Sequence, residues 1–467
     1  MPDRDAYPVL PGALADKPTL SLGDRLRGKR LRMPWAIPDA ALRQPILKQR
    51  SVVGDMFWIA DPALAKHVLV DHAADYPKAA LELQLFQALF GQGLLGIDGD
   101  LWRKHRRTMA PTFTPGSVAS YAADMAASSE AFAEGWRRLP EGAVVDVSEA
   151  MNALTLTIIS RTMFSADGAA AEPAVAQAMK GAGDLNDINV LDLVPGVSAL
   201  RMKARIKRFA AIFRPLDTQI ARMIAAREGS ANPPDDLLSR LMAARDDETG
   251  AGLSAQEIRD EVVTIFLAGH ETTATAMTWI WYLLARQPAE AARLRAELDA
   301  VLGGRTPTQA DLPQLAYARR FVDEALRILP PTPGISSRVA AKDDELGGLP
   351  VRKGAFMLIL PWVMHRSRLN WDEPERFDPD RFLPERSQGR HRLAALPFGA
   401  GPRVCIGQLM AVNEILLILA TLAQHFELEL ASDAPVVLRH NVTLRPDGGL
   451  PMQVRRRTPT SSAVAAE

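Results

Sequence analysis

The only cysteine among 467 residues, Cys405, stands in the stretch Phe398-Gly399-Ala400-Gly401-Pro402-Arg403-Val404-Cys405-Ile406-Gly407. A thiol is a ligand or nucleophile only as thiolate, so the surroundings must hold it ionised. From Ile406 the chain turns apolar with helical spacing through Ala411, Ile415, Leu416, Ile418 and Leu419, which puts Cys405 at a helix N-terminus. There the dipole and the N–H groups favour negative charge. Arg403 adds a cation two residues away. Glycines on both sides remove side chains where backbone turns sharply or approaches something closely.

A second polar interruption lies far upstream. Ser254 and Glu257 form a capping-box pattern opening a long helix that runs to about Arg286. Ile258, Val262, Ile265, Phe266, Gly269, Thr272, Thr273 and Ala276 recur at helical spacing, so one face is buried. Near the middle stands Ala268-Gly269-His270-Glu271-Thr272-Thr273. A glycine inside a helix costs about 1 kcal/mol relative to alanine, and the acid and alcohol break the apolar face. A functional role accounts for both. Trp102 and Arg106 share a helix face, and both are donors of the kind a buried carboxylate requires. Taken alone, that basic segment reads as an exposed helix. Glu324 and Arg327 are helix neighbours able to pair.

Phe-x-x-Gly-x-Arg-x-Cys-x-Gly, filled by Phe398, Gly401, Arg403, Cys405 and Gly407, resembles the haem-binding loop of cytochrome P-450 monooxygenases. The resemblance implies that Cys405 is the axial ligand of haem b. It implies too that Arg403 pairs with a propionate, that Phe398 shields the sulfur, and that Gly407 belongs to the same loop. In that family the thiolate pushes electron density to favour O–O cleavage. The central helix motif is similar to the family's oxygen-activating segment. Gly269 would then leave room for dioxygen, Ala268 would share a face with Thr272, and Thr272 and Glu271 would manage proton delivery. Glu271 lies about 100° round the helix from its neighbour, which suits a connection to solvent, while His270 points elsewhere as a structural residue.

Trp102 and Arg106 resemble the propionate-binding pair, with His105 able to share that role, and Arg338 is matched to the second propionate. Glu324, Arg327 and Arg381 resemble the cluster that fixes the fold behind the haem, with Arg376 the rival for the third place. The apolar segment 79–97, with Phe86 and Phe90, matches the roof of the pocket. Ile265 and Val442, the latter on a turn near the C-terminus, complete the candidate substrate contacts.

The elements that must position these residues read as mainly α with a small β region, forming one domain over 1–457 and a disordered tail at 458–467. Residues 1–50 are proline-rich and read as irregular; Met56 to Ala60 reads as a short buried strand, and 62–73 as a helix. Helical stretches fill 117–227, broken near Val194-Pro195-Gly196, and the basic run from Arg201 to Arg208 reads as a solvated helix face. Asn232 to Asp236 marks a turn.

Apolar residues make up 47%, ample for a large core. Lysine plus arginine equals aspartate plus glutamate at 55 each, which argues against a global attraction to nucleic acid or an acidic membrane. One cysteine excludes an internal disulfide and fits a reducing compartment. The N-terminus lacks an apolar signal segment, and the apolar run near Met277 is far short of a membrane span, so no membrane anchor and a cytoplasmic location are expected.

The resemblance implies a monooxygenase that inserts one atom of O2 into a lipophilic small molecule. With 62 residues after Cys405, no fused flavin reductase is expected. Electrons would come from a ferredoxin or flavodoxin and its reductase. Two other readings remain open: a peroxygenase driven by hydrogen peroxide, and a non-catalytic haem-binding protein.

Overall fold

The structure, a computed structural model, describes residues 10–11, 34, 36–51, 54–165, 197–245, 250, 252–440 and 442–459. The break expected at 194–196 and the tail from 460 onward lie outside the described residues. Its long helices, in chain order, are α1 (Ala80–Phe90), α2 (Gly99–Met109), α3 (Pro115–Arg137), α4 (Val147–Phe164), α5 (Val197–Glu228), α6 (Leu237–Ala243), α7 (Ala255–Arg286), α8 (Pro288–Leu302), α9 (Ala316–Ile328) and α10 (Gln408–Ala423). The strands are β1 (Ile46–Ser51), β2 (Gly54–Ile59), β3 (Val144–Asp146), β4 (Arg338–Val339), β5 (Asp344–Leu346), β6 (Leu349–Val351), β7 (Phe356–Leu358), β8 (Phe426–Leu430), β9 (Leu438–His440), β10 (Leu444–Pro446) and β11 (Pro451–Arg456). The architecture is mainly α with small sheets.

Two compact units result. The first takes residues 1–77, 125–152 and 272–467, and the second 78–124 and 153–271. All these strands belong to the first. Its largest sheet has the order β1-β2-β7-β4, with β2 and β7 parallel and Met56 opposite Phe356. Side chains alternate across a strand, and β2 uses both faces. Phe57 and Ile59 pack with Val68, Leu69, Met357 and Ala400, while Trp58 packs with Trp362, Val363 and Leu444. The Phe57 face therefore supports Ala400 of the cysteine loop.

Residues 46–51, expected as irregular, pair along β2 as an edge strand. Only Ile46 and Leu47 of Ile-Leu-Lys-Gln-Arg-Ser are apolar, so no alternation announces it. The helix expected over 62–73 is shorter: Asp61 caps Pro62–Lys66, and a wider turn follows over His67–Asp71.

In the second unit, Lys207 and Arg208 of α5 are exposed, as a solvated face requires. The capping box of α7 forms, with Ser254 N donating to Glu257 Oε2 at 2.7 Å and Glu257 N to Ser254 Oγ at 3.2 Å. From Asp260 to Leu284 every residue of α7 is buried except Ala268, Gly269 and Thr272. Among the described residues no helix is long and apolar enough to cross a membrane.

Candidate functional site

The cysteine loop, in the first unit, is built from backbone. Cys405 N donates to Phe398 O at 2.9 Å, closing the stretch between them, and Val404 N donates to Gly401 O at 3.0 Å. Gly399 and Gly401 have φ of 74° and 72°, the left-handed region that favours glycine. At Gly401 a side chain is also sterically forbidden, because a Cβ would lie 1.9 Å from the carbonyl oxygen of Leu69. Gly407 differs: its φ of −88° suits any residue, and it serves as the N-cap of α10. Cys405 is exposed and three residues ahead of that helix. Phe398 and Arg403 are half-buried, and burial pushes the Arg403 guanidinium down to about 10. Arg338 is buried at the start of β4, where its Nη1 donates to Ser336 O at 2.7 Å.

Between Asp260 and Leu284 of α7 the three residues that escape full burial are spaced at i, i+1 and i+4, a single face. Ile265, three residues before Ala268, shares it and is buried. One expectation is corrected here. Glu271 is buried at 5% exposure, so the 100° offset from Thr272 does not lead to solvent. A Cβ on Gly269 would meet Ile159 Cδ1 of α4 at 2.8 Å. The glycine lets α4 approach α7, and Thr155 Oγ1 donates to His270 O at 3.0 Å beside it. His270 is buried with Nδ1 against Phe266 O, and burial pushes its imidazole down to about 4. On the following turn Thr273 Oγ1 donates to Glu414 Oε2 of α10 at 3.5 Å. Burial pushes the Glu414 carboxyl up to about 8, against that hydrogen bond.

In the second unit, α2 carries Trp102, buried, and Arg106, half-buried. His105, expected to share a propionate, is fully buried with both ring nitrogens turned to α7: Nδ1 lies 2.7 Å from Glu261 Oε1 and Nε2 3.4 Å from Glu257 Oε1. The ring faces carboxylates on both sides, an arrangement that leaves it no nitrogen for another. Phe86 and Phe90 of α1 sit with ring centroids 6.0 Å apart. Val442, in the first unit, is half-buried beside β10.

The first unit also holds a buried charge cluster. Arg327 donates Nε to Glu324 Oε2 at 2.6 Å and Nη2 to Oε1 at 2.8 Å; Arg381 Nε donates to the same Oε1 at 2.9 Å. Arg376 gives this cluster its carbonyl oxygen, which accepts from Arg381, while its side chain pairs with Glu373. His365 was not singled out from the sequence. Its Nδ1 donates to Arg327 O at 2.9 Å and its Nε2 accepts from Leu396 N at 2.9 Å, tying the cluster to the approach to the loop. Burial, aided by Arg327, pushes it down to about 3. Glu414 was also missed, although a carboxylate in the apolar run of α10 was visible; His365 left no such signal.

The donor set of the first unit fits a haem: one soft sulfur at an exposed position, held by a loop that excludes side chains, together with two arginines withdrawn from water. Arginine matches a propionate in a bidentate way.

The sequence profile of the cytochrome P450 family matches residues 44–450. Cyclooctatin synthase of Streptomyces melanosporofaciens is 39% identical over 369 residues, 78% of this chain and 78% of that protein. Cyclooctat-9-en-7-ol 5-monooxygenase of the same organism is 35% identical over 348 residues, 73% of each. The crystal structure of the cytochrome P450DA haem domain matches with a TM-score of 0.78 at 28% identity, covering 89% of this chain and 91% of that one.

Proposed function

The chain belongs to the cytochrome P450 family, and from that premise we propose that it hydroxylates a low-polarity cyclic terpenoid, using electrons from a separate ferredoxin or flavodoxin. It is a haem b monooxygenase. When bound, the haem supplies oxygen-activating iron, whose thiolate ligand favours O–O cleavage. Cys405 is the ligand we assign, with Arg403 and Arg338 as propionate partners. Trp102 and Arg106 hold a propionate through the indole N–H and the guanidinium.

One observation carries the distal assignment: on a helix otherwise buried from Asp260 to Leu284, only Ala268, Gly269 and Thr272 open a face. Ile265 lends that face an apolar border, which suits a substrate with few polar groups. Thr272 Oγ1 holds a water or accepts and passes a proton there, and Glu271 stores one inside the protein. The cyclic substrate class is supported by relatives whose names give a cyclic alkenol and cyclooctatin. Phe86, Phe90 and Val442 are proposed to border it. A cytoplasmic location would supply the reduced electron carriers and keep the Cys405 thiol reduced.

The test is turnover. Purified protein with NADPH, a surrogate ferredoxin and its reductase is offered a panel of cyclic terpenes and their alcohols, chosen by spectral shift on binding. Hydroxylated product that requires the reductase supports the reading. Product formed only with added peroxide would replace it by a peroxygenase, and neither would leave a haem carrier.

A further inference from the structure

The first half of α7 presents Glu257, Asp260 and Glu261 at i, i+3 and i+4, and in the second unit these carboxylates are spent on the chain rather than on solvent. Asp260 Oδ2 accepts from Gln92 N at 2.7 Å, and Glu261 Oε2 accepts from Leu94 N at 3.2 Å. The segment lies close enough that a Cβ on Gly91 would fall 2.2 Å from Asp260 Oδ2, and one on Gly93 2.1 Å from Thr264 Oγ1. From the other side Lys78 Nζ donates to Leu95 O at 2.8 Å. The second oxygen of Glu261 faces His105 Nδ1 at 2.7 Å, and both side chains have no exposure. Glu261 thus joins three elements: α7, the stretch 91–97, and α2.

We propose that His105, through Glu261, is a positioning residue for haem retention: it fixes the rotation of α2 that aims Trp102 and Arg106. His105 lies three residues after Trp102 and next to Arg106, so a turn of α2 that broke its bond to Glu261 would carry both donors away from their aim. A buried hydrogen-bonded carboxylate has no cheaper alternative, because leaving either group alone in the interior costs the full desolvation. Burial raises the Glu261 carboxyl and His105 opposes that rise, so the two groups stabilise each other in place. The more distant Glu257 Oε1, 3.4 Å from Nε2, adds little. The inference rests on the reading of Trp102 and Arg106 as propionate donors, and it removes His105 from that set.

The experiment measures haem transfer from the loaded protein to an excess of a haem-free globin. Asparagine places an amide N–H where Nδ1 stands, and glutamine places one where Nε2 stands. His105→Asn is therefore expected to keep haem loss within about threefold of wild type, while His105→Gln and His105→Leu accelerate it about tenfold or more, the scale for partners that orient a ligand. A residue that merely filled space would give the opposite order, with the larger glutamine and leucine tolerated best. Asn behaving like Leu, or Gln matching wild type, overturns the proposal. Arg106→Ala runs in parallel. If it accelerates haem loss while all three His105 variants hold haem normally, the propionate reading stands and the positioning role falls. If Arg106→Ala has no effect, the propionate reading falls and takes this inference with it.

Discussion

Replacing Gly401 by alanine isolates the geometry that shapes the cysteine loop. The new methyl would start 1.9 Å from the Leu69 carbonyl oxygen, whereas a carbon normally stays about 3.3 Å from such an oxygen. Loop and turn must separate by more than about 1 Å. The residue also keeps a φ of 72°, which costs an L-residue about 1–2 kcal/mol. Overpacking of this kind adds about 1–3 kcal/mol, so the total is about 2–5 kcal/mol. Gly399→Ala is the internal control. Its φ is 74°, yet its nearest neighbour is Ile335 Cγ2 at 3.8 Å, ordinary contact. It should cost only the conformational part, about 1–2 kcal/mol. Both variants are unfolded in urea, with helix content and the thiolate-type Soret band of the reduced carbon monoxide complex followed together. Gly401→Ala should lose the band well before wild type, and Gly399→Ala should fall between them. Equal midpoints for the two variants would refute the reasoning, because the clash with Leu69 would then contribute nothing.

Arg327→Met removes three donated contacts to carbonyls and both of its hydrogen bonds to Glu324; leaving that buried charge with only Arg381 and the Asp378 N–H should cost about 3–5 kcal/mol in urea unfolding, and a change under about 1 kcal/mol would deny the cluster its role. Thr272→Ala should keep haem and substrate binding but divert NADPH into peroxide; unchanged product per NADPH would remove Thr272 from the catalytic set. His270, held at about 4 against an ordinary 6.5, is neutral when folded and takes up a proton on unfolding. Its contribution is therefore complete above pH 6.5 and is lost as pH falls from 6.5 toward 4. His270→Asn, which keeps a donor for Phe266 O, should flatten the stability–pH slope in that window by about one proton; an unchanged slope would contradict the assignment.

Local chemistry was legible where spacing alone determines it. The cap at Ser254, the run of α7 to Arg286 and the neighbours Glu324 and Arg327 all follow from helical periodicity. What periodicity cannot give is which side of a helix is covered. Glu271 stands on a face that would meet water in an amphipathic helix, but its own side of α7 is buried, so the angle decided nothing. The neighbour that a Cβ on Gly269 would meet is Ile159, more than a hundred residues earlier in the chain. His105 and His365 owe their roles to partners on other elements, Glu261 in one case and Leu396 with Arg327 in the other, which no window of sequence contains. The edge strand β1 was hidden because half of it faces solvent and lacks apolar alternation.

The measurement closest to the central claim is the absorption spectrum of the reduced protein under carbon monoxide, taken for wild type and for Cys405→Ser. Cys405 is the only sulfur of its kind in the chain, and a hydroxyl cannot supply the charge that a thiolate gives to iron. Wild type should show the thiolate-type Soret band and Cys405→Ser should lose it while still folding. Retention of that band in Cys405→Ser would mean that another group holds the iron, and the site built here around the cysteine loop would be wrong.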